Sequence, residues 1–127
     1  MTIAFWCVLA AAFMPYIAIG IANSTHGYDN RNPREWEAKL SGRRSRAHAA
    51  HLNSFEAFPL FAAGVIVATV TKVSPPVVDA IAPSFTVACT AHLWCYLSDW
   101  ASLRSLDWFV GFGLSRALFI LGAFAET

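Results

Sequence analysis

The stretch Arg46-Ala47-His48-Ala49-Ala50-His51-Leu52-Asn53-Ser54-Phe55-Glu56-Ala57-Phe58-Pro59 decides the reading of this chain. Ionisable and amide side chains run there straight into an apolar segment that continues to Val70, with no turn signal between them. On a helix, Asn53 and Glu56 stand one turn apart and Arg46 two turns before Asn53, about 10.5 Å along the axis, so the three share one stripe. A carboxylate and an amide entering hydrocarbon are costly, and such groups face a bundle interior or a wet cavity. The stripe is therefore a candidate binding site.

The rest of the chain supplies the hydrocarbon. Its 127 residues are 57% hydrophobic and 13% charged, with a mean hydropathy of +0.49. A soluble domain of this length buries too little surface to hide that much apolar material. Four apolar segments stand out, at 3–21, 57–70 with its approach from 46, 77–96 and 106–124. Each, with its approach, reaches the roughly 20 residues that cross a bilayer core of about 30 Å. The expectation is an all-α integral membrane protein, a four-transmembrane-helix bundle forming a single domain over 1–127. Its helices fall at about 2–22, 44–72, 76–98 and 104–125, with a polar connection over 23–43. The first segment has no Lys or Arg ahead of it and is too long and aromatic for a signal-peptide core, so it reads as a retained helix.

Charge sets the orientation. Arg31, Arg34, Lys39, Arg43, Arg44 and Arg46 cluster in the first connection, while Lys72 stands alone in the second. The positive-inside rule puts the first connection in the cytoplasm and both termini on the outer side of a multi-pass protein. A net charge of +1 offers no general basic surface for nucleic acid. Cys7, Cys89 and Cys95 lie in apolar segments without CxxC spacing, which argues against disulfide chemistry and zinc. His48, His51 and Glu56 do not make a compact ligand face, so no metal site is expected.

Within the long connection, Pro33 and Glu35 suit a first turn and Gly42 an end, so a short interfacial helix is expected near 35–40. Ser74-Pro75-Pro76 makes the next connection a tight turn. Pro59 frees the Phe55 carbonyl beside Glu56. His92 and Tyr96 share a face of the third long helix, and Arg104, Ser105 and Trp108 follow just beyond the last connection. At the start of its helix, Arg104 has both a guanidinium and nearby backbone N–H groups to offer an anion. The polar groups from Arg46 to Arg104 thus fall at one depth, which argues for one site. Taken singly, Arg104 also fits a topogenic anchor, Tyr96 and Trp108 an interfacial belt, and His92 an interhelical hydrogen bond. Arg116 lies deep in the last helix, where it reaches toward Asp79 or lines the interior of an oligomer.

Together these motifs resemble the signature of the MAPEG family, the membrane-associated proteins in eicosanoid and glutathione metabolism. Arg46-Ala47-His48 leads to Asn53-x-x-Glu56-x-Phe58-Pro59-x-Phe61, followed by His92-x-x-x-Tyr96 and Arg104-Ser105-x-x-Trp108. The last of these is similar to the start of the fourth helix in the prostaglandin E synthase branch. Nearly the whole chain takes part in the resemblance, including its four spans and its polar first loop with Asn32-Pro33.

The resemblance implies a homotrimer binding glutathione as co-substrate at each subunit interface near the cytoplasmic face. Arg46, Asn53 and Glu56 would hold its charged ends, His92 and Tyr96 its backbone, and Arg104 with Ser105 the thiolate. An arginine fork, an amide and a carboxylate also suit glutathione's termini on chemical grounds alone. Ala49 stands where the eicosanoid branches carry an arginine, Trp108 replaces a tyrosine, and the gap from Tyr96 to Arg104 differs by one residue. The chain therefore looks like a bacterial-type member, in an inner membrane, and eicosanoid synthesis is not carried over. The implied activity is a glutathione-dependent transferase or peroxidase acting on lipophilic electrophiles. A non-catalytic protein of the same fold, binding a lipid or thiol, is the alternative. A small transporter stands third, because no inverted repeat is visible.

Overall fold

The computed structural model describes residues 1–125. It contains helices α1 (Ile3–Asn23), α2 (Pro33–Ala38), α3 (Gly42–Val70), α4 (Pro75–Leu97) and α5 (Ala101–Ala125). All but α2 are long and apolar enough to cross a membrane. The 29 residues of α3 extend about 43 Å, more than the roughly 30 Å of hydrocarbon, so its charged first turns reach past the apolar core. Trp6, Phe13, Val87, Ile120 and Phe124 lie exposed on outer helix faces, the surface such a bundle presents to lipid.

α1 and α5 each pack against both α3 and α4. The core is centred on Phe61, stacked on Phe85 with ring centroids 3.9 Å apart, and on Val65, Ala82 and Leu118 around them. Small residues do much of the remaining packing: Ala4, Ala11, Ala18, Ala22, Ala47, Ala50 and Ala68 are all buried. In lipid, where water drives no helix together, such residues let backbones approach closely. Gly64 marks a close approach of α3 to α5, since a Cβ there would lie 3.1 Å from both the Leu118 Cβ and the Ser115 carbonyl oxygen.

Both short connections close the same way. Lys72 and Asp99 take left-handed conformations, and the next residue's N–H reaches back five positions, Val73 to the Ala68 carbonyl and Trp100 to the Cys95 carbonyl, each at 2.9 Å. This closure satisfies helix-end carbonyls and reverses the chain within a few residues. The second turn is tight enough that α5 begins at Ala101, three residues before the expected position 104.

Polar side chains tie the ends. Arg44 Nη1 donates to the carbonyls of Ala22 at 3.2 Å and Ser24 at 3.0 Å, capping α1. Asn23 Nδ2 donates to Glu37 at 2.8 Å, which docks α2. His51 Nδ1 lies 2.8 Å from the Pro15 carbonyl and His48 lies 3.6 Å from Glu37, so both histidines hold α3 to its neighbours. At the opposite end, Asp79 accepts from the Ala4 N–H at 2.8 Å. An Arg116–Asp79 pairing is therefore corrected: Asp79 caps α1, while Arg116 lies over the Phe112 ring and donates to the Phe112 carbonyl at 3.3 Å.

Candidate functional site

Two adjoining cavities open among α3, α4 and α5. The smaller lies toward the end of the bundle that carries the long connection. Asn53, His92, Tyr96, Arg104, Ser105, Trp108 and Phe109 line it. The larger in overall empty space, about 750 Å³ against about 460 Å³ with the open mouth of each included, extends deeper along the helices past Glu56, Leu60, Phe85, Cys89, Asp107 and Arg116. Asn53, His92 and Trp108 belong to both linings and form the wall between them.

The smaller cavity is a polar cluster assembled from three helices. Asn53 on α3 donates through Nδ2 to the Tyr96 hydroxyl on α4. The Arg104 guanidinium on α5 lies over the Tyr96 ring, 4.6 Å from its centroid. His92, one turn before Tyr96, meets that ring edge-on at 5.1 Å. Tyr96 thus positions an amide on one side and a cation on the other. The cation stabilises an anion entering between them, and the aromatic face holds the guanidinium in place without neutralising it.

Six of the seven residues expected from sequence line one cavity or the other: Asn53, Glu56, His92, Tyr96, Arg104 and Ser105. Arg46 stands behind them, its Nε donating to the Tyr96 carbonyl at 2.9 Å. This bond caps α4 and braces the tyrosine from its backbone side. Ser105 donates its hydroxyl to the Ala101 carbonyl at 3.1 Å, so it offers a ligand lone pairs unless it rotates. The helix-terminus contribution expected at Arg104 is also corrected. Because α5 begins at Ala101, the Arg104 N–H is already bonded to the Trp100 carbonyl at 2.9 Å. Residues 101–103, whose N–H groups precede the first helical bond, line neither cavity. An anion in the smaller cavity would therefore meet the guanidinium and not helix-terminal N–H groups.

The MAPEG family pattern matches residues 3–124, nearly the entire chain. The chain belongs to the MAPEG family. No curated protein and no solved structure matches it significantly. Membership is consistent with a glutathione-related transferase, peroxidase or related function, and together with the four apolar helices it makes this a multi-pass integral membrane protein.

Beyond the MAPEG signature, the cavities contain groups that sequence reading did not assign to the site, and one, Asp107, that it passed over. Asp107 carries an Oδ2 atom 3.5 Å from His92 Nδ1, and Cys89 and Arg116 line the deeper space. One signal for Asp107 was present. It follows Arg104 by three residues and so shares its helix face.

Proposed function

We propose that this MAPEG protein is a glutathione-dependent transferase or peroxidase acting on lipophilic electrophiles. The observation that carries the reading is the continuity of the two cavities. A polar chamber with an amide, a phenol and a guanidinium adjoins an apolar chamber within the membrane-spanning part of the bundle. Glutathione fits the first, with Asn53 toward a charged end and Arg104 toward its sulfur, and Glu56, which lines the second chamber one turn beyond Asn53, takes another charged end across the shared wall. The apolar chamber accepts a substrate arriving from lipid. Bound thiolate is thereby brought to an electrophile that water does not dissolve.

The active form on this reading is a homotrimer of the bacterial-type branch in an inner membrane. The basic first connection, with the smaller cavity beside it, faces the cytoplasm, and both termini lie outside. Glu56 is exposed in the single subunit, as expected of a side chain that a neighbour and a ligand complete.

Titration calorimetry of the purified protein with glutathione tests the binding, and a conjugation assay tests turnover. Saturable binding with conjugation is expected. Binding without turnover favours the non-catalytic alternative, and no binding overturns the glutathione reading. Native mass spectrometry is expected to show a trimer in mild detergent. A stable monomer that still binds glutathione removes the interfacial placement of the site.

A further inference from the structure

His92 and Asp107 form the least satisfied polar group in the bundle. Their side chains are 13% and 15% exposed. Nδ1 and Nε2 of His92 and Oδ2 of Asp107 are buried without a hydrogen-bond partner among the described residues. Such atoms are uncommon in folded proteins, and each calls for an explanation. Both side chains line the larger cavity, and His92 lines the smaller one as well. Parts of both side chains therefore border the junction of the two chambers, while the unpartnered atoms themselves lie just beneath that lining.

We infer that Asp107 is a positioning residue that holds His92 as the proton donor to the oxygen released when a thiolate opens a lipophilic epoxide. This rests on the glutathione-dependent reading above. The proton inventory follows from burial. A net charge away from water is costly, so the favoured state of the pair is electrically neutral. A neutral His–Asp pair has one proton to give beyond the N–H that a neutral imidazole keeps, whichever partner carries it. With Asp107 on the Nδ1 side, the other ring nitrogen has no partner among the described residues and meets a substrate after a small turn of the ring, the arrangement by which a carboxylate orients a catalytic imidazole.

The step balances without an outside oxidant or reductant. Glutathione has already released its thiol proton to solvent. Its sulfur forms a bond to carbon, the carbon–oxygen bond breaks, and the electron pair passes to oxygen. The pair's proton moves through Nε2 to that oxygen, giving an alcohol. The pair is left with one negative charge opposite the Arg104 guanidinium and regains a proton from solvent through the smaller cavity. The other ionisable groups around it are Glu56 on α3, Cys89 on α4 and Arg116 on α5, all lining the larger cavity.

A leaving group that needs no proton distinguishes this role from simple packing. The test compares native protein, Asp107→Asn and Asp107→Glu on styrene oxide and on 1-chloro-2,4-dinitrobenzene, which expels chloride. Glutathione binding is followed by calorimetry and folding by thermal denaturation. Asp107→Asn is expected to lower kcat for the epoxide on the order of a hundredfold, the lower range of general acid catalysis. The loss on the aryl chloride should be at least tenfold smaller. Asp107→Glu should recover part of the epoxide rate. Equal losses on both substrates in a folded, glutathione-binding variant overturn the proposal and leave the broader reading standing, as does an undiminished epoxide rate. Failure of the native protein to bind glutathione overturns both.

Discussion

Replacing Arg104 with alanine should all but remove the thiolate absorbance of bound glutathione at neutral pH while the peptide stays bound. The geometry gives this guanidinium no carboxylate partner in the smaller cavity; it lies over the Tyr96 ring, with its charge available to a ligand. A free thiol near pKa 8.5 is only about 3% ionised at pH 7, and a nearby arginine that lowers this by about two units, roughly 2.7 kcal/mol, brings it to about three quarters. The signal at pH 7 should therefore fall roughly 25-fold in Arg104→Ala, with its midpoint moving up by about two pH units. The rate should fall less. A more basic thiolate is a better nucleophile, and a Brønsted slope near 0.4–0.5 returns roughly six- to tenfold of that loss. Above about pH 7.5 to 8 the variant should overtake the native protein if Arg104 acts on the thiolate alone. A full thiolate signal at pH 7 transfers the role to another cation, and Arg116 is then the one to test.

Glu56→Ala should weaken glutathione binding by roughly 1.5 to 3 kcal/mol, about 10- to 150-fold in Kd, the range for hydrogen bonds to charged groups. Glu56 lines the larger cavity one turn beyond Asn53. Although exposed in the single subunit, it sits where an ammonium group gains a full charge partner. Calorimetry on the folded variant is the measurement. An unaltered Kd would assign the carboxylate to helix packing instead.

What could be read in advance follows from the range of the interactions. The four spans were legible because each is a long apolar run whose meaning depends on length alone. The cluster on α3 was legible because helical spacing fixes which side chains share a face. Arg46 illustrates the limit. Its stripe was visible, yet its bond to the Tyr96 carbonyl depends on where α4 ends beside it. Asp107 shows the same limit across α4 and α5, since its approach to His92 depends on how the two helices rotate and on a turn that starts α5 at Ala101. Arg116 depends on both, and only three-dimensional packing sends it to Phe112 while Asp79 holds the end of α1.

The stacked pair Phe61–Phe85 has a consequence for which molecules fit. Phe85 lines the larger cavity, and Phe61 supports it from within the core. The stack is thus a rigid part of that cavity's lining. From His92 to Phe85 the helix rises about 10.5 Å, and on the proposed function that distance acts as a ruler. Compact rings and short chains reach the wall between the chambers with their tails inside, whereas a longer chain must bend or trail out through the mouth. Selection by length is built into the aromatic core itself, and a smaller side chain at position 85 should lengthen the ruler without touching any charged group.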